Sequence, residues 1–137
     1  MKISTKGRYG LRAMIDLATH ENCDYVTLAS IAERQQISLN YLEHSFSALK
    51  KAGLIIGHTG INGGYKLALP PTEITLQMIL VVLEGDLAIV PIIPAAEETI
   101  YSQCLRTNVW EKINQKLADI LKKTTLQDML GCNNKND

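Results

Sequence analysis

The sequence contains no apolar run long enough to cross a membrane. Its longest run, Met78 to Leu83, has six residues, whereas a transmembrane helix needs about 20. The basic residues near the N-terminus are followed by neither an apolar stretch nor a small-residue cleavage site, so a secretory signal is not expected. These absences predict a cytoplasmic protein, either one domain or a small domain with an oligomerisation element.

Cysteine is scarce. The 137-residue chain has three cysteines, Cys23, Cys104 and Cys132. An odd number at wide spacing does not make a disulfide framework, and no two of them are close enough for a paired metal knuckle. His20 and Cys23 are three positions apart, but two ligands are too few for a metal site, and we expect them to end a helix and begin a loop. No metal site is predicted.

Signatures of catalysis are also missing. The sequence has no nucleophile elbow, no phosphate-binding loop and no pair of carboxylates with catalytic spacing. The glycines within residues 62–64 lie outside any strand–helix–strand unit, so they are not a dinucleotide-binding fingerprint. We therefore do not expect an enzyme.

The net charge is zero, but the two halves of the chain differ. Residues 1–68 contain 8 Lys and Arg against 5 Asp and Glu, a net charge of +3, and residues 69–137 contain 6 against 9, a net charge of −3. All three histidines also lie in the first half. This asymmetry indicates that the first half meets an anion, although chance clustering gives the same pattern.

Capping residues and apolar periodicity predict three helices in the first half. The first runs from about Ser4 to Thr19, and its basic first turn sits badly at the positive end of a helix dipole unless an anion lies nearby. Thr27 caps a helix over residues 28–36, and Ser38 caps another that ends at Gly53. The tight connection at residues 36–37 makes the last two helices a helix-turn-helix.

The helix after Ser38 has two distinct faces. Leu42, Phe46 and Leu49 form its buried stripe. The opposite face is polar, and it can contact base edges near its start and phosphates near its end. An ordinary solvated face is the alternative. The residues of this polar face are Asn40, Tyr41, Glu43, His44, Ser47, Lys50 and Lys51.

A hairpin follows directly. Residues 54–56 and 65–69 are predicted as strands around a glycine-rich turn, and Pro70 and Pro71 end the second strand. A hairpin placed directly after a helix-turn-helix is a wing, which commonly lies along the DNA backbone or in the minor groove. Residues 1–71 are therefore predicted to form a winged helix-turn-helix domain.

The second half, residues 72–137, is predicted to be helical. Thr75 caps a helix over residues 76–84 that is apolar nearly all round and should be buried on most sides. A helix of roughly 40 Å then runs from about Ala96 to Lys123, and Thr125 begins a short last helix. The apolar stripe of the long helix is predicted to be a two-fold dimer interface. Its residues are Ile100, Cys104, Val109, Ile113, Leu117 and Ile120.

The chain resembles the Rrf2 family of bacterial winged-helix regulators, which includes the IscR, CymR and NsrR types. The resemblance covers almost the whole chain. It rests on MKISTKGRYGLRAM at the start, SIAERQQISLNYLE in the helix-turn-helix, LKKAGLI and GGYKLA around the wing, EIT and VLEG after it, and TTLQDML near the end. The predicted fold class is mainly α with a small β-hairpin wing, followed by a long dimerisation helix.

The resemblance implies a homodimer whose recognition helices enter the major groove. It implies that Lys6, Arg8 and Tyr9 hold phosphates, and that residues at the start of the recognition helix touch the bases. Two positions depart from the family pattern, because His44 replaces a common Gln and Thr59 replaces a common Arg of the wing. The residues predicted to contact DNA are Lys6, Arg8, Tyr9, Thr27, Ser38, Asn40, Tyr41, Glu43, His44, Lys50, His58, Thr59, Asn62 and Gly63.

Several family members hold an iron–sulfur cluster with three closely spaced cysteines near the start of the long helix. Here only Cys104 matches that pattern, and the downstream His is Thr107, so no cofactor is expected. Cys104 is a candidate redox thiol, as in CymR-type members, and its alternative role is that of a small apolar residue on the helix stripe.

The sequence thus predicts a DNA-binding transcriptional regulator, expected to be a repressor, that binds a pseudo-palindromic operator as a homodimer and senses a signal at its dimerisation half. A regulatory protein or a small molecule can supply that signal. Two alternatives stay open: a cluster-binding sensor of the same family, and an interaction module that keeps the fold but binds DNA weakly.

Overall fold

The structure is a computed structural model that describes residues 2–22, 24–90 and 93–131. Cys23 and Cys132 therefore lie outside the described residues, as does the polar tail. The described parts contain seven α-helices and one β-hairpin. They are α1 (Thr5–His20), α2 (Leu28–Gln35), α3 (Leu39–Lys51), β1 (Ile55–His58), β2 (Gly64–Leu67), α4 (Leu76–Glu84), α5 (Ile100–Leu105), α6 (Glu111–Lys123) and α7 (Leu126–Met129).

Five of the predicted helix starts are confirmed. In each case a hydroxyl oxygen before the helix accepts a hydrogen bond from a backbone N–H of the first turn, which satisfies one of the donors that a helix start leaves unpaired. These caps are Ser4 for α1, Thr27 for α2, Ser38 for α3, Thr75 for α4 and Thr125 for α7.

The core of the reading half lies between α1, α2, α3 and the wing. The predicted stripe of α3, Leu42, Phe46 and Leu49, is fully buried. The Phe46 ring meets the Tyr65 ring of β2 edge-on, with 5.2 Å between the ring centroids, so the helix-turn-helix and the wing share one packed interior.

The wing is an antiparallel pair in which Ile55 faces Leu67 and His58 faces Gly64. The first strand begins one residue later and ends two residues later than the predicted 54–56. A third segment joins the pair, because Val26 and Tyr65 exchange backbone hydrogen bonds of 2.9 and 2.7 Å. Gly64 allows this approach: a Cβ atom there would lie 2.4 Å from the Val26 carbonyl oxygen.

Helix α4 packs against α1 with Ile79, Leu80 and Leu83 buried. The prediction that it is buried on most sides agrees with the structure except at Val81, which is 48% exposed, because the other eight residues are buried or half-buried. One chain does not cover the whole apolar surface of this helix.

The long helix begins later than predicted and is not regular. Residues 95–97 form a separate 3-10 turn, and the continuous helix starts at Ile100. Between α5 and α6 the segment Arg106–Trp110 is π-helical, and the Glu111 N–H donates to the Arg106 carbonyl five residues back. The stripe residues Cys104 and Val109 are five apart, and the π segment, whose hydrogen bonds also span five residues, covers most of that step.

The core continues across the predicted boundary after residue 71. Ile74, Ile79, Leu83 and Leu126 belong to the same buried cluster as the residues of α1 and α3. Helix α7 is tied to the start of α4 because the Leu126 N–H donates to the Ile74 carbonyl at 2.9 Å. The two predicted parts therefore differ in role but share one interior.

Candidate nucleic-acid interface

The first half of α3 presents a polar surface on the side opposite its buried stripe. Tyr41 is half-buried, whereas the amide, carboxylate and imidazole side chains beside it are exposed, and these groups can donate to or accept from base edges in a major groove. The exposed predicted contacts here are Asn40, Glu43 and His44.

Two predicted DNA contacts, Tyr9 and Tyr41, also hold α1 against α3. Their rings meet edge-on with 5.6 Å between the centroids. The Arg12 guanidinium lies 5.3 Å from the centroid of the Tyr9 ring and donates a hydrogen bond to the Gln35 carbonyl of α2. Tyr9 therefore fixes the first helix relative to α3.

The first turn of α1 carries Lys6 and Arg8, both exposed. Arg8 Nη2 donates to Thr5 Oγ1 at 3.2 Å, and the turn has no acidic side chain. An anion near this positively charged helix end was therefore predicted.

That anion is a carboxylate of the same protein. Oε1 of Glu84, the last residue of α4, accepts hydrogen bonds from Ser4 N at 2.9 Å, Ser4 Oγ at 2.5 Å and Gly7 N at 2.9 Å. The charge pattern of the first turn therefore does not by itself indicate DNA, and phosphates bound by Lys6 and Arg8 would be additional to Glu84.

A buried carboxylate braces α1 against α2. Asp16 is 3% exposed, and it accepts hydrogen bonds from Arg34 Nη2 at 2.7 Å and Gln35 Nε2 at 2.9 Å. The hydrogen bond to Asp16 raises the pKa of the Arg34 guanidinium. This brace fixes the first helix of the helix-turn-helix, so that α3 is presented at a constant angle.

Thr27 and Ser38 lie exposed at the starts of the two helices of the motif, and both act as caps. Thr27 Oγ1 accepts from Ser30 N at 3.2 Å, and Ser38 Oγ accepts from Tyr41 N at 3.1 Å. A capping hydroxyl can still donate its own hydrogen. These two residues are thus placed where a phosphate oxygen can meet both a hydroxyl and a helix start.

The wing carries a stacked cluster that includes His58. Its ring stacks on Tyr25 with 5.1 Å between the centroids, and Lys66 Nζ lies 4.7 Å from the centroid of the same Tyr25 ring. The tip contains the other predicted wing contacts, and Gly60 and Asn62 adopt positive φ there. Thr59 and Asn62 are exposed and Gly63 is half-buried.

Lys50 joins the end of α3 to the wing. Its Nζ lies 3.2 Å from the point where a Cβ of Gly57 would stand, so the Lys50 side chain runs along β1. The structure thus places Lys50, α3 and the wing on one continuous surface.

The predicted dimer residues do not share one environment. Ile100, Ile113 and Ile120 are 82, 40 and 61% exposed, and Cys104 is exposed. Val109 and Leu117 are half-buried. Their neighbour Leu121 is buried and contributes to the packing of α6 on α4.

Sequence reasoning missed four residues of this surface: Glu84, Tyr25, Lys66 and Arg12. Glu84 left a signal, because a helix start with two cations and no acid needs an external anion. Arg12 left one too, because Tyr9 lies three residues before it on the same helix. The partners of Tyr25 and Lys66 are not marked by a helical spacing of this kind.

Comparison with known proteins agrees with this geometry. The chain matches the family model described as Rrf2, iron-dependent transcriptional regulator, over residues 3–131. It is 34% identical over 134 residues to the transcriptional regulator IscR of Photobacterium profundum, covering 98% of this chain and 78% of that protein. Within the described residues, no helix is both long and apolar enough to span a bilayer.

Two solved structures are similar over almost the full chain. CymR, the global cysteine regulator of B. subtilis, superimposes with a TM-score of 0.83 at 37% identity, covering 96% of this chain and 97% of that one. IscR of T. potens gives a TM-score of 0.75 at 41% identity, covering 95% and 86%. Because the family match spans nearly the whole chain and the winged helix-turn-helix is present, the chain belongs to the Rrf2 family of DNA-binding transcriptional regulators.

Proposed function

We propose that the protein acts as a homodimer and represses transcription, in the cytoplasm, by occupying a pseudo-palindromic operator. The proposed dimer is inferred from the exposed apolar side of α5 and α6. Ile100, Tyr101 and Ile120 are 82, 84 and 61% exposed. Apolar surface in water costs about 25 cal/mol per Å², and a second copy with the same stripe offers a matching cover.

A dimer along this stripe carries two recognition helices related by a two-fold axis. Each α3 would enter a major groove, and the wings would follow the adjacent backbone. Half-sites one helical turn apart, about 34–36 Å, suit such an arrangement. A signal that changes the dimer geometry would change the fit to that spacing.

The C-terminal half offers a place for the signal. A cleft of about 440 Å³ lies beside the long helix, with Val90, Leu105 and Trp110 among its walls. Arg106 at its edge forms ion pairs of 2.7 Å with both Glu98 and Glu111. A small molecule or a regulatory protein acting here would reach the dimer stripe directly.

The matching family model is described as iron-dependent, which raises the question of a metal site. The described residues contain no group of three or more His, Cys, Asp or Glu that could hold a metal, and Glu98 is committed to Arg106. The donors near Cys104 therefore do not fit an iron–sulfur cluster. We propose that this chain works without one; anaerobically purified protein should show no visible cluster absorption and no stoichiometric iron, and coloured, iron-loaded protein would overturn this.

The dimer is tested by charge placed on the stripe. Ile113→Glu and Ile120→Glu should convert the protein from twice 15.2 kDa to 15.2 kDa in light scattering after size exclusion, because a buried unpaired carboxylate is costly. Gln115→Glu adds the same charge at an exposed polar position and should stay dimeric. A monomeric wild type, or three variants that behave alike, would contradict the proposal.

A further inference from the structure

The end of α4 and the start of α1 form one joint. Glu84 Oε1 receives the Ser4 N–H, the Ser4 hydroxyl and the Gly7 N–H. Two glycines of α1 make this approach possible, because they carry no side chain. A Cβ on Gly7 would lie 2.2 Å from Glu84 Oε1, and one on Gly10 would lie 2.3 Å from Leu83 Cδ1. The close contact therefore depends on residues of both helices.

The same end of α4 is also tied to the long helix. Gly85, with a positive φ of 83°, turns the chain directly after Glu84. Four residues further on, the Ile89 N–H donates to Asn114 Oδ1 of α6 at 2.8 Å. Helix α4 itself packs on α1 on one side and on α6 on the other. Glu84 thus lies between the proposed dimer helix and the first turn that carries Lys6 and Arg8.

We propose that Glu84 is a positioning residue for DNA binding. Its carboxylate fixes the first turn of α1 to the end of α4, so that a displacement of α4 by the long helix moves Lys6 and Arg8 relative to the DNA backbone. This inference rests on the proposed function, in which the first turn holds phosphates and the dimer half receives the signal.

A positioning role and a simple charge effect predict opposite changes in DNA affinity when Glu84 is removed. Glu84 is an anion beside two cations that face DNA, so on electrostatic grounds its removal should strengthen binding to a polyanion. If Glu84 positions the first turn, its removal weakens binding although a repulsive charge has gone. The direction of the change therefore separates the two roles.

The first experiment measures Kd by fluorescence anisotropy, for full-length protein on an operator selected from random DNA, over a range of salt. Glu84→Ala should raise Kd about fivefold, the effect of losing a helix cap, and should reduce the salt slope by about one because a phosphate contact is lost. Glu73→Gln removes an acid from an exposed site outside the joint and should leave Kd unchanged or lower it.

Milder variants keep the test decisive if Glu84→Ala unfolds. Ser4→Ala and Glu84→Gln each remove part of the hydrogen bonding and should raise Kd about two- to threefold, with a melting temperature close to that of the wild type. Equal or tighter binding by these folded variants would overturn the positioning role. A wild type that itself shows no salt-dependent binding would instead overturn the proposed function.

The second experiment tests the route from the long helix. Asn114→Ala removes the side-chain acceptor of the Ile89 N–H and should alter Kd in the wild-type background, and it should have no further effect once Glu84 is Ala. Such non-additivity is the signature of residues that act through one another. Additive effects of the two substitutions would contradict the proposed route.

Discussion

His44 is the residue of the recognition surface with the clearest consequence for sequence preference. It is exposed on α3 next to Glu43. An imidazole offers one donor and one acceptor, whereas a Gln amide makes a bidentate pair with adenine.

We therefore expect His44→Gln to change the preferred base at one position of each half-site, and His44→Ala to relax it at a cost of about 1–3 kcal/mol of discrimination. Competition binding with operators substituted base by base measures this. Gln127→Ala, exposed on α7 and outside the polar face of α3, is the control. If all three proteins showed one preference, His44 would not read bases, and the interaction-module alternative would gain support.

Asp16 is the residue on which the reading head most depends for rigidity. Asp16→Ala would leave Arg34 and Gln35 without their shared acceptor. Because the Arg34 side chain is 36% exposed and can turn to water, we expect a loss of about 1–3 kcal/mol in the free energy of unfolding.

Urea titration with an unchanged m-value measures that loss. Asp24→Ala, which removes an exposed acid, should change stability by less than about 0.5 kcal/mol. Equal stabilities of the two variants would show that the Asp16 brace contributes nothing.

At the scale of single residues, the sequence predicted which side chains are exposed better than it predicted which residues they contact. The polar side of α3 could be predicted because Leu42, Phe46 and Leu49 recur at helical spacing and mark the opposite, buried side. The hydrogen bonds of Glu84 could not, because they join residues about 80 positions apart in the sequence, and only the folded chain brings the end of α4 to the start of α1.

At the scale of elements, the wing is sensitive to the addition of a single atom at Gly64. Gly64 has a φ of 144° and a Cβ there would lie 2.4 Å from the Val26 carbonyl oxygen. Gly64→Ala must therefore part the Val26–Tyr65 hydrogen bonds, and we expect it to cost about 1–3 kcal/mol in the free energy of unfolding.

Gly131→Ala, where a Cβ meets nothing within 4 Å, is the matched control in chemical unfolding. The wing interpretation predicts a clear difference between the two substitutions. It would be contradicted if both variants unfolded at the wild-type midpoint.

Five helix starts were predictable because a hydroxyl cap precedes each of them, which is a local signal. The long helix was predicted in type but not in detail. The five-residue step from Cys104 to Val109 was visible in the sequence, yet a wide turn and a break are equally consistent with such a step. Only the backbone hydrogen bond from Glu111 to Arg106 distinguishes them.

For the whole molecule, we propose that two copies of this winged helix-turn-helix read one operator with two-fold symmetry. The order of helices and hairpin predicted the fold, and the family match confirmed the class of function. The sequence of one chain predicts an apolar stripe for the dimer interface but not the arrangement of the two copies. That arrangement depends on how the two surfaces are oriented relative to each other, which the apolar pattern does not specify.

The most direct measurement is selection of bound duplexes from random DNA by the full-length protein, followed by binding of the selected sequence at several salt concentrations. We expect two inverted half-sites with centres a whole number of helical turns apart, and a log–log salt dependence that reflects several phosphate contacts. Selection of a single asymmetric half-site, or no selection with salt-independent binding, would contradict the proposed two-fold reading of the operator.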